Sequence, residues 1–237
     1  MTCYPTDKLP LHKHSFPASW WIPCLLLMAS CSTLKPSELL PQIGGDPAVV
    51  VKSLRLPTSE VWYSRFAHHT WLDVRLEGHA DWTRLEISTP GSGIEVNLVG
   101  AEKAFADERW GRSVQVRTVL SGPEAGPVAE RLVARAQAMD SPSYRSFPGP
   151  NSNTFIHDLV QGVDGMHANF NSNAVGKDFG WNFGVSETGT GLEVDAFLLG
   201  LQVGWVEGVE LHFLGLTAGI GFAPLTLKLP VLPEIGF

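Results

Sequence analysis

Between Arg65 and Leu76 the chain alternates with a period of two. Phe66, His68, Thr70, Leu72, Val74 and Leu76 fall on one side, and Arg65, Ala67, His69, Trp71, Asp73 and Arg75 on the other. Successive side chains of an extended chain point to opposite faces, so this segment is expected to be a strand with one more apolar face. The adjacent His68 and His69 must then face opposite sides of a sheet. A strand needs partners, and the flanking sequence supplies them. Residues 47–56 are β-branched and suit a first strand, 82–88 follow the Gly78-His-Ala-Asp81 turn as a hairpin partner, and 113–120 alternate again. Gly91-Ser-Gly93 is a turn without the Gly-x-Ser-x-Gly spacing of a nucleophile elbow.

Residues 122–139 are rich in alanine and carry Val128, Leu132, Val133 and Ala136 at helical spacing. Asp140–Pro150 stops that helix. The phrase Pro148-Gly-Pro-Asn-Ser-Asn-Thr154 then opens a second one, with Phe155, Ile156, Leu159 and Val160 on its apolar side. Strands followed by helices predict an α+β fold. The last third is rich in glycine and holds a duplication, since residues 194–205 resemble 209–220 as Val-acid-x-x-x-Leu-Gly-Leu-x-x-Gly. Glu207-Gly208 between the copies predicts a hairpin, either covering the core or forming a lipid-facing or partner-facing platform. Residues 224–230 suit a final short strand.

At 237 residues, with 44% hydrophobic and 17% charged, the chain can bury a sizeable core. A net charge of -7 without any Lys/Arg cluster argues against a nucleic-acid partner. Cys3, Cys24 and Cys31 are all N-terminal, so the body has no disulfide, zinc-thiolate site or cysteine nucleophile. Lys8 and Lys13 precede the apolar run 18–29, which is too short to span a bilayer but suits the core of a signal peptide. Met28-Ala-Ser-Cys31 resembles a bacterial lipobox. That resemblance implies loss of residues 1–30, lipid on Cys31, and a membrane-anchored, extracytoplasmic protein at the cell envelope. Residues 31–47 are read as a tether, their prolines and glycines too close for a regular element. The expected organisation is a domain over 48–178 and a Gly-rich β-hairpin extension over 179–237.

A helix N-terminus carries partial positive charge and free N–H groups, so Ser152 at such a place is either a cap or a reacting group. Its order of elements, and the words His69-Thr70-Trp71 and Asn151-Ser152-Asn153-Thr154-Phe155, resemble circularly permuted papain-like (NlpC-type) proteins. That group includes lecithin retinol acyltransferase and the deSUMOylating isopeptidases. In those relatives a histidine comes first and the nucleophile follows in Asn-Cys-Asn-x-Phe. The resemblance implies an antiparallel sheet packed with helices and a hydrolase or acyl/amide transferase in which His69 deprotonates Ser152, with His68 in reserve. Serine replaces the cysteine here and needs an adjacent base. Glu86 or Asp73 would orient the imidazole, and Asn151 and Asn153 are further orienting or oxyanion candidates. The alternative is a non-catalytic binding or structural lipoprotein in which Ser152 only caps the helix.

The phrases "HHTW", "PGPNSNTF", "AVGKD", "EGVELHFLGLTAG" and "LKLP" resemble a bacterial family of predicted lipoproteins known as domain of unknown function 3750. No activity follows from that resemblance. No cofactor or metal is expected: His69 and Asp73 are about 13 Å apart along a strand, too far for one ion. Lys177-Asp178 reads as a surface ion pair or the lining of a cleft beside Ser152, and His157 as an exposed helix residue or a proton carrier. An envelope protein or an acyl or amide substrate is the expected partner. Labelled palmitate should enter the wild-type chain and not Cys31→Ala; equal labelling of both would contradict lipidation at Cys31.

Overall fold

The computed structural model describes residues 35–237 apart from 60 and 142, so the expected signal peptide and Cys31 lie outside the described residues. The described residues make up one compact unit. The order is α1 (Pro36–Ile43), β1 (Ala48–Arg55), β2 (His68–Arg75), β3 (Trp82–Glu86), β4 (Glu95–Val99) and the one-turn α2 (Ala101–Ala104). A small hairpin of β5 (Glu108–Arg109) and β6 (Arg112–Ser113) follows, then β7 (Gln115–Ser121), α3 (Ala125–Ala138) and α4 (Ser152–Gln161).

The first sheet is antiparallel with the order β4-β3-β2-β1-β7. Val49, Val51, Leu72, Val74 and Leu85 pack on one face against Leu132 of α3 and Phe155, Ile156 and Leu159 of α4. On the other face Leu39 and Ile43 of α1, with Ala104 and Phe105, cover Ala48, Val50 and Trp82. Both sides of β2 are therefore buried, including the more polar one. That row survives burial because its charges are paired: Asp73 accepts from Lys52 Nζ at 2.9 Å, Arg84 Nε at 2.7 Å and Trp71 Nε1 at 3.0 Å.

The segment read as an irregular tether contains α1. Pro36 stands at the first helical position, where its missing N–H is not needed, and Leu39 and Ile43 lie one turn apart and are buried. That burial offsets the presence of Pro41 inside the helix. The packed region therefore begins before Ala48.

The C-terminal region is larger than the single hairpin expected. Strands β8 (Trp181–Val185), β9 (Gly191–Ala196), β10 (Leu199–Gly204), β11 (Gly208–Phe213), β12 (Leu216–Phe222), β13 (Leu225–Lys228) and β14 (Ile235–Gly236) form a seven-stranded antiparallel meander. The copies do meet in a hairpin, with Gly204 paired to Gly208, but each copy also folds on itself. The turns within the copies use positive φ at Phe197 and at Leu214-Gly215. The alternation of this sheet is inverted. Glu193, Asp195, Gln202, Glu210 and His212 are buried, while Trp181, Phe183, Leu201, Trp205, Leu211 and Phe213 are exposed. Among the described residues no helix is long and apolar enough to cross a membrane.

Candidate functional site

The site begins at the entry to α4. Asn151, in extended conformation, is the N-cap: its Oδ1 accepts from the N–H groups of Asn153 (2.9 Å) and Thr154 (3.3 Å). Such a cap contributes about 1 kcal/mol. Its Nδ2 donates to the carbonyls of Ser146 and Val175. Asn153 reaches the other way. Its Oδ1 accepts from Thr70 N–H at 3.0 Å, and its Nδ2 donates to the carbonyls of His68 and Val175, both at 2.9 Å. The two asparagines, candidates for orienting or oxyanion roles, thus spend their side chains on backbone. They hold the first turn of α4 against the start of β2.

Ser152 is the first helical residue, and capping is done by its neighbour. Its Oγ lies 3.2 Å from His69 Nδ1, and His69 Nε2 lies 3.0 Å from Glu86 Oε2. Arg109 closes the row by donating to both oxygens of Glu86 at 2.8 Å. Period two explains the pairing of the middle members. Asp73 is opposite Arg84, so Glu86, two residues beyond Arg84, shares a face with His69, Trp71 and Asp73. Asp73 is occupied by Lys52, Arg84 and Trp71 and does not orient His69. His68 points to the opposite side, where its Nδ1 has no partner among the described residues. Burial, reinforced by the charge of Arg117, lowers its pKa to about 4.

Burial also lowers the pKa of His69, outweighing the hydrogen bond and charge of Glu86, which raise it. Burial would raise the Glu86 pKa, but hydrogen bonds from His69 and Arg109 hold it at about 2. At neutral pH the row is therefore a carboxylate and a neutral imidazole. With Nε2–H donated to Glu86, Nδ1 presents its lone pair to the Ser152 hydroxyl.

Ser152 is 6% exposed and His69 3%. The ring of His69 stacks on Trp71 at 5.7 Å and meets Trp110 at 5.1 Å. Trp110 stands at the tip of the β5–β6 hairpin with φ 54°, followed by Gly111 with φ 67°, which suits a tight two-residue turn. Burial raises the pKa of the Tyr144 phenol, against the opposing influence of the neighbouring Ser152. A cavity of about 240 Å³ lined by Trp71, Arg84, Lys103 and Arg109 adjoins the Glu86–Arg109 pair. Arg109, Trp110 and Tyr144 were not found from the sequence, although Trp110-Gly111 between two arginines is a turn signal.

Lys177 and Asp178 are not at the surface. They form a buried ion pair beneath the C-terminal sheet, with Lys177 also 3.3 Å from Glu187. His157 is buried too, 3.5 Å from Glu193 and 3.9 Å from Glu187.

The profile of a family described as protein of unknown function (DUF3750) matches residues 50–179, more than half of the chain, and the chain belongs to that family. The matched span holds Ser152, His69 and Glu86 and leaves β8–β14 outside. No curated protein and no solved structure matches the chain.

Proposed function

We propose that this member of the DUF3750 family is a serine hydrolase or acyl/amide transferase of permuted papain-like fold, held at the bacterial cell envelope by lipid on Cys31. One observation carries the enzymatic part: the unbroken row Ser152–His69–Glu86–Arg109, with 3.2, 3.0 and 2.8 Å between successive partners. A histidine strand in an antiparallel sheet, followed by a helix with the nucleophile at its start, supports the papain-like part.

In this reading Ser152 Oγ bonds the acyl carbon while its proton passes to His69 Nδ1. The charge that develops on the acyl oxygen is met by the Ser152 N–H at the start of α4 and by the Tyr144 hydroxyl. Collapse expels the leaving amine or alcohol, which takes the proton from Nδ1. Water, or an acceptor nucleophile in a transferase, then loses its proton to Nδ1, attacks the acyl-serine and restores Oγ–H. Glu86 fixes the ring and offsets its transient charge, and Arg109 fixes Glu86. The competing reading, an inert lipoprotein with Ser152 as a cap, is weakened because Asn151 already fills the capping role.

The membrane part rests on the N-terminal lipobox and on the outer face of β8–β14. That face presents Trp181, Phe183, Leu201, Trp205, Leu211 and Phe213 to the outside, far more apolar surface than an ordinary soluble sheet leaves open. Its longest strand, β12, has seven residues, short of the roughly 9–11 that a membrane-crossing strand needs. The sheet would therefore lie on the lipid surface beside the anchor, its tryptophans at headgroup level.

The chain from Ser32 onward should react with a fluorophosphonate probe. Ser152→Ala should abolish labelling, and His69→Ala should slow it at least about 100-fold. Because the His69 pKa is lowered, labelling should be flat from pH 7 upward and fall only as acid protonates Nδ1. Labelling that persists in Ser152→Ala, or a folded wild type that never labels, would contradict the enzymatic reading. The same chain, lacking the anchor, should float with phosphatidylcholine vesicles, and Phe213→Asp with Leu211→Asp should abolish flotation. A dimer that ignores vesicles would assign the face to a second copy.

A further inference from the structure

We propose that Asp178, Glu193, Asp195 and His212 form a buried site for a divalent cation of the zinc or manganese class, joining the C-terminal sheet to the loop after α4. The donor atoms of these four residues lie within 4.8 Å of one another, and all four residues are buried. This inference is independent of the chemistry at Ser152.

Sheet geometry brings the groups together. Glu193 and Asp195 are two apart on β9 and share its inner face, and His212 enters from β11 across the intervening β10. The residue between them on β10 is Gly200, paired to both Asp195 and His212. A Cβ at Gly200 would stand 1.7 Å from Asp195 Oδ1 and 2.9 Å from His212 Nδ1. Only glycine lets the two side chains meet over that strand, which gives the first copy of the duplicated Leu-Gly-Leu unit a physical purpose.

The contact also assigns roles within the cluster. Nδ1 of His212 lies 2.7 Å from Asp195 Oδ1, so a ring bound to the ion through Nε2 would donate Nδ1–H to that carboxylate; Asp195 then orients the imidazole, and Asp178, Glu193 and His212 supply the ligands. Nε2 lies 3.7 Å from Asp178 Oδ2 and 3.6 Å from Glu210 Oε2, too far for hydrogen bonds. Ligands around one ion with bonds of about 2.0–2.2 Å are roughly 3 to 3.5 Å apart, so the His212–Asp178 pair is nearly at ligand spacing and the donors that start within 4.8 Å would draw inward on binding.

A cluster of carboxylates is not a site by itself, and two further features point to a cation. First, neither oxygen of Glu193, nor Asp195 Oδ2, nor His212 Nε2 has a hydrogen-bond partner among the described residues. His157 Nε2 is 3.5 Å from Glu193 without hydrogen-bonding geometry. Second, Gln202, which is not an acid and is 0% exposed, is paired on one side with Glu193 and on the other with Glu210. Its Oε1 also accepts nothing from the described residues. An unpaired buried carbonyl on a strand between two carboxylates adds negative potential where a low dielectric makes repulsion strong. The ammonium groups of Lys177 and Lys228 are held by Asp178, Glu187 and Glu210 and do not reach Glu193. Mixed imidazole and carboxylate donors suit zinc or manganese better than magnesium.

The test uses the full chain folded with Zn²⁺ or Mn²⁺ and passed through a chelating buffer, with metal per chain measured by mass spectrometry. Wild type should retain about one equivalent. Glu193→Gln and Gly200→Ala should each lower retention by about tenfold or more. Co²⁺-loaded wild type should show visible ligand-field bands without a thiolate charge-transfer band, which separates this site from the N-terminal cysteines. Folded wild type with no retained metal and no cobalt bands would overturn the proposal, as would full retention in both variants. If the variants fail to fold, the wild-type stoichiometry and cobalt spectrum decide alone.

Discussion

The side chain of Asn153 is the constraint on which the site depends. Its three hydrogen bonds tie the first turn of α4 to the backbone of β2 on either side of His69 and to the loop at Val175. A buried amide with its partners in place is costly to disturb, because each unmade bond would leave a desolvated polar group. The helix can therefore meet the sheet in one register. In that register the residue before Asn153 faces the residue between His68 and Thr70, and Ser152 meets His69. Asn151 completes the arrangement by saturating the N–H groups of Asn153 and Thr154, which leaves the Ser152 hydroxyl uncommitted to the helix.

Charge then sets the protonation states. Arg109 and His69 both donate to Glu86, so the carboxylate stays ionised despite its burial. An ionised Glu86 selects the Nε2–H tautomer of His69. Burial keeps that ring neutral, which is the form a serine needs beside it. The C-terminal sheet reverses the usual arrangement, with carboxylates and a histidine inside and aromatic and aliphatic groups outside. The two faces explain each other: an inner face built to hold charge leaves the apolar residues of every strand no side but the outer one. The second copy of Leu-Gly-Leu has its own role. Gly215 accepts from Gly176 N–H at 2.9 Å, close against Pro148 at the entry to α4, where a Cβ would stand 2.7 Å from the Pro148 carbonyl oxygen.

Much of the first sheet was legible because its period is local. Alternation over 65–76 located β2 and placed His68 and His69 on opposite faces, and the alanine-rich stretch located α3. The face that meets α4 was not legible, since it is decided by Asn153 bonding residues 83 and 85 positions away. Glu86 and Asp73 share one face of the sheet through the β2–β3 register, and only the pairing of Asp73 with Arg84 separates their roles. Helix α1 was hidden by its prolines because its stability comes from Leu39 and Ile43 packing on β1, a tertiary effect. The turn at Phe197 was hidden because a positive φ at phenylalanine carries no composition signal. The duplication was visible as a repeat, but two residues of turn inside each copy changed two expected strands into four.

The central claim is that His69 is a neutral base held by Glu86 and aimed at Ser152. It is tested most directly by proton–nitrogen NMR of the chain carrying ¹⁵N-labelled histidine at pH 7, with the His69 signals assigned by their loss in His69→Gln. The ring should be neutral and protonated at Nε2, its Nε2–H shifted downfield by Glu86 and moved upfield in Glu86→Gln. A ring protonated at Nδ1, or one carrying both protons at that pH, would contradict it.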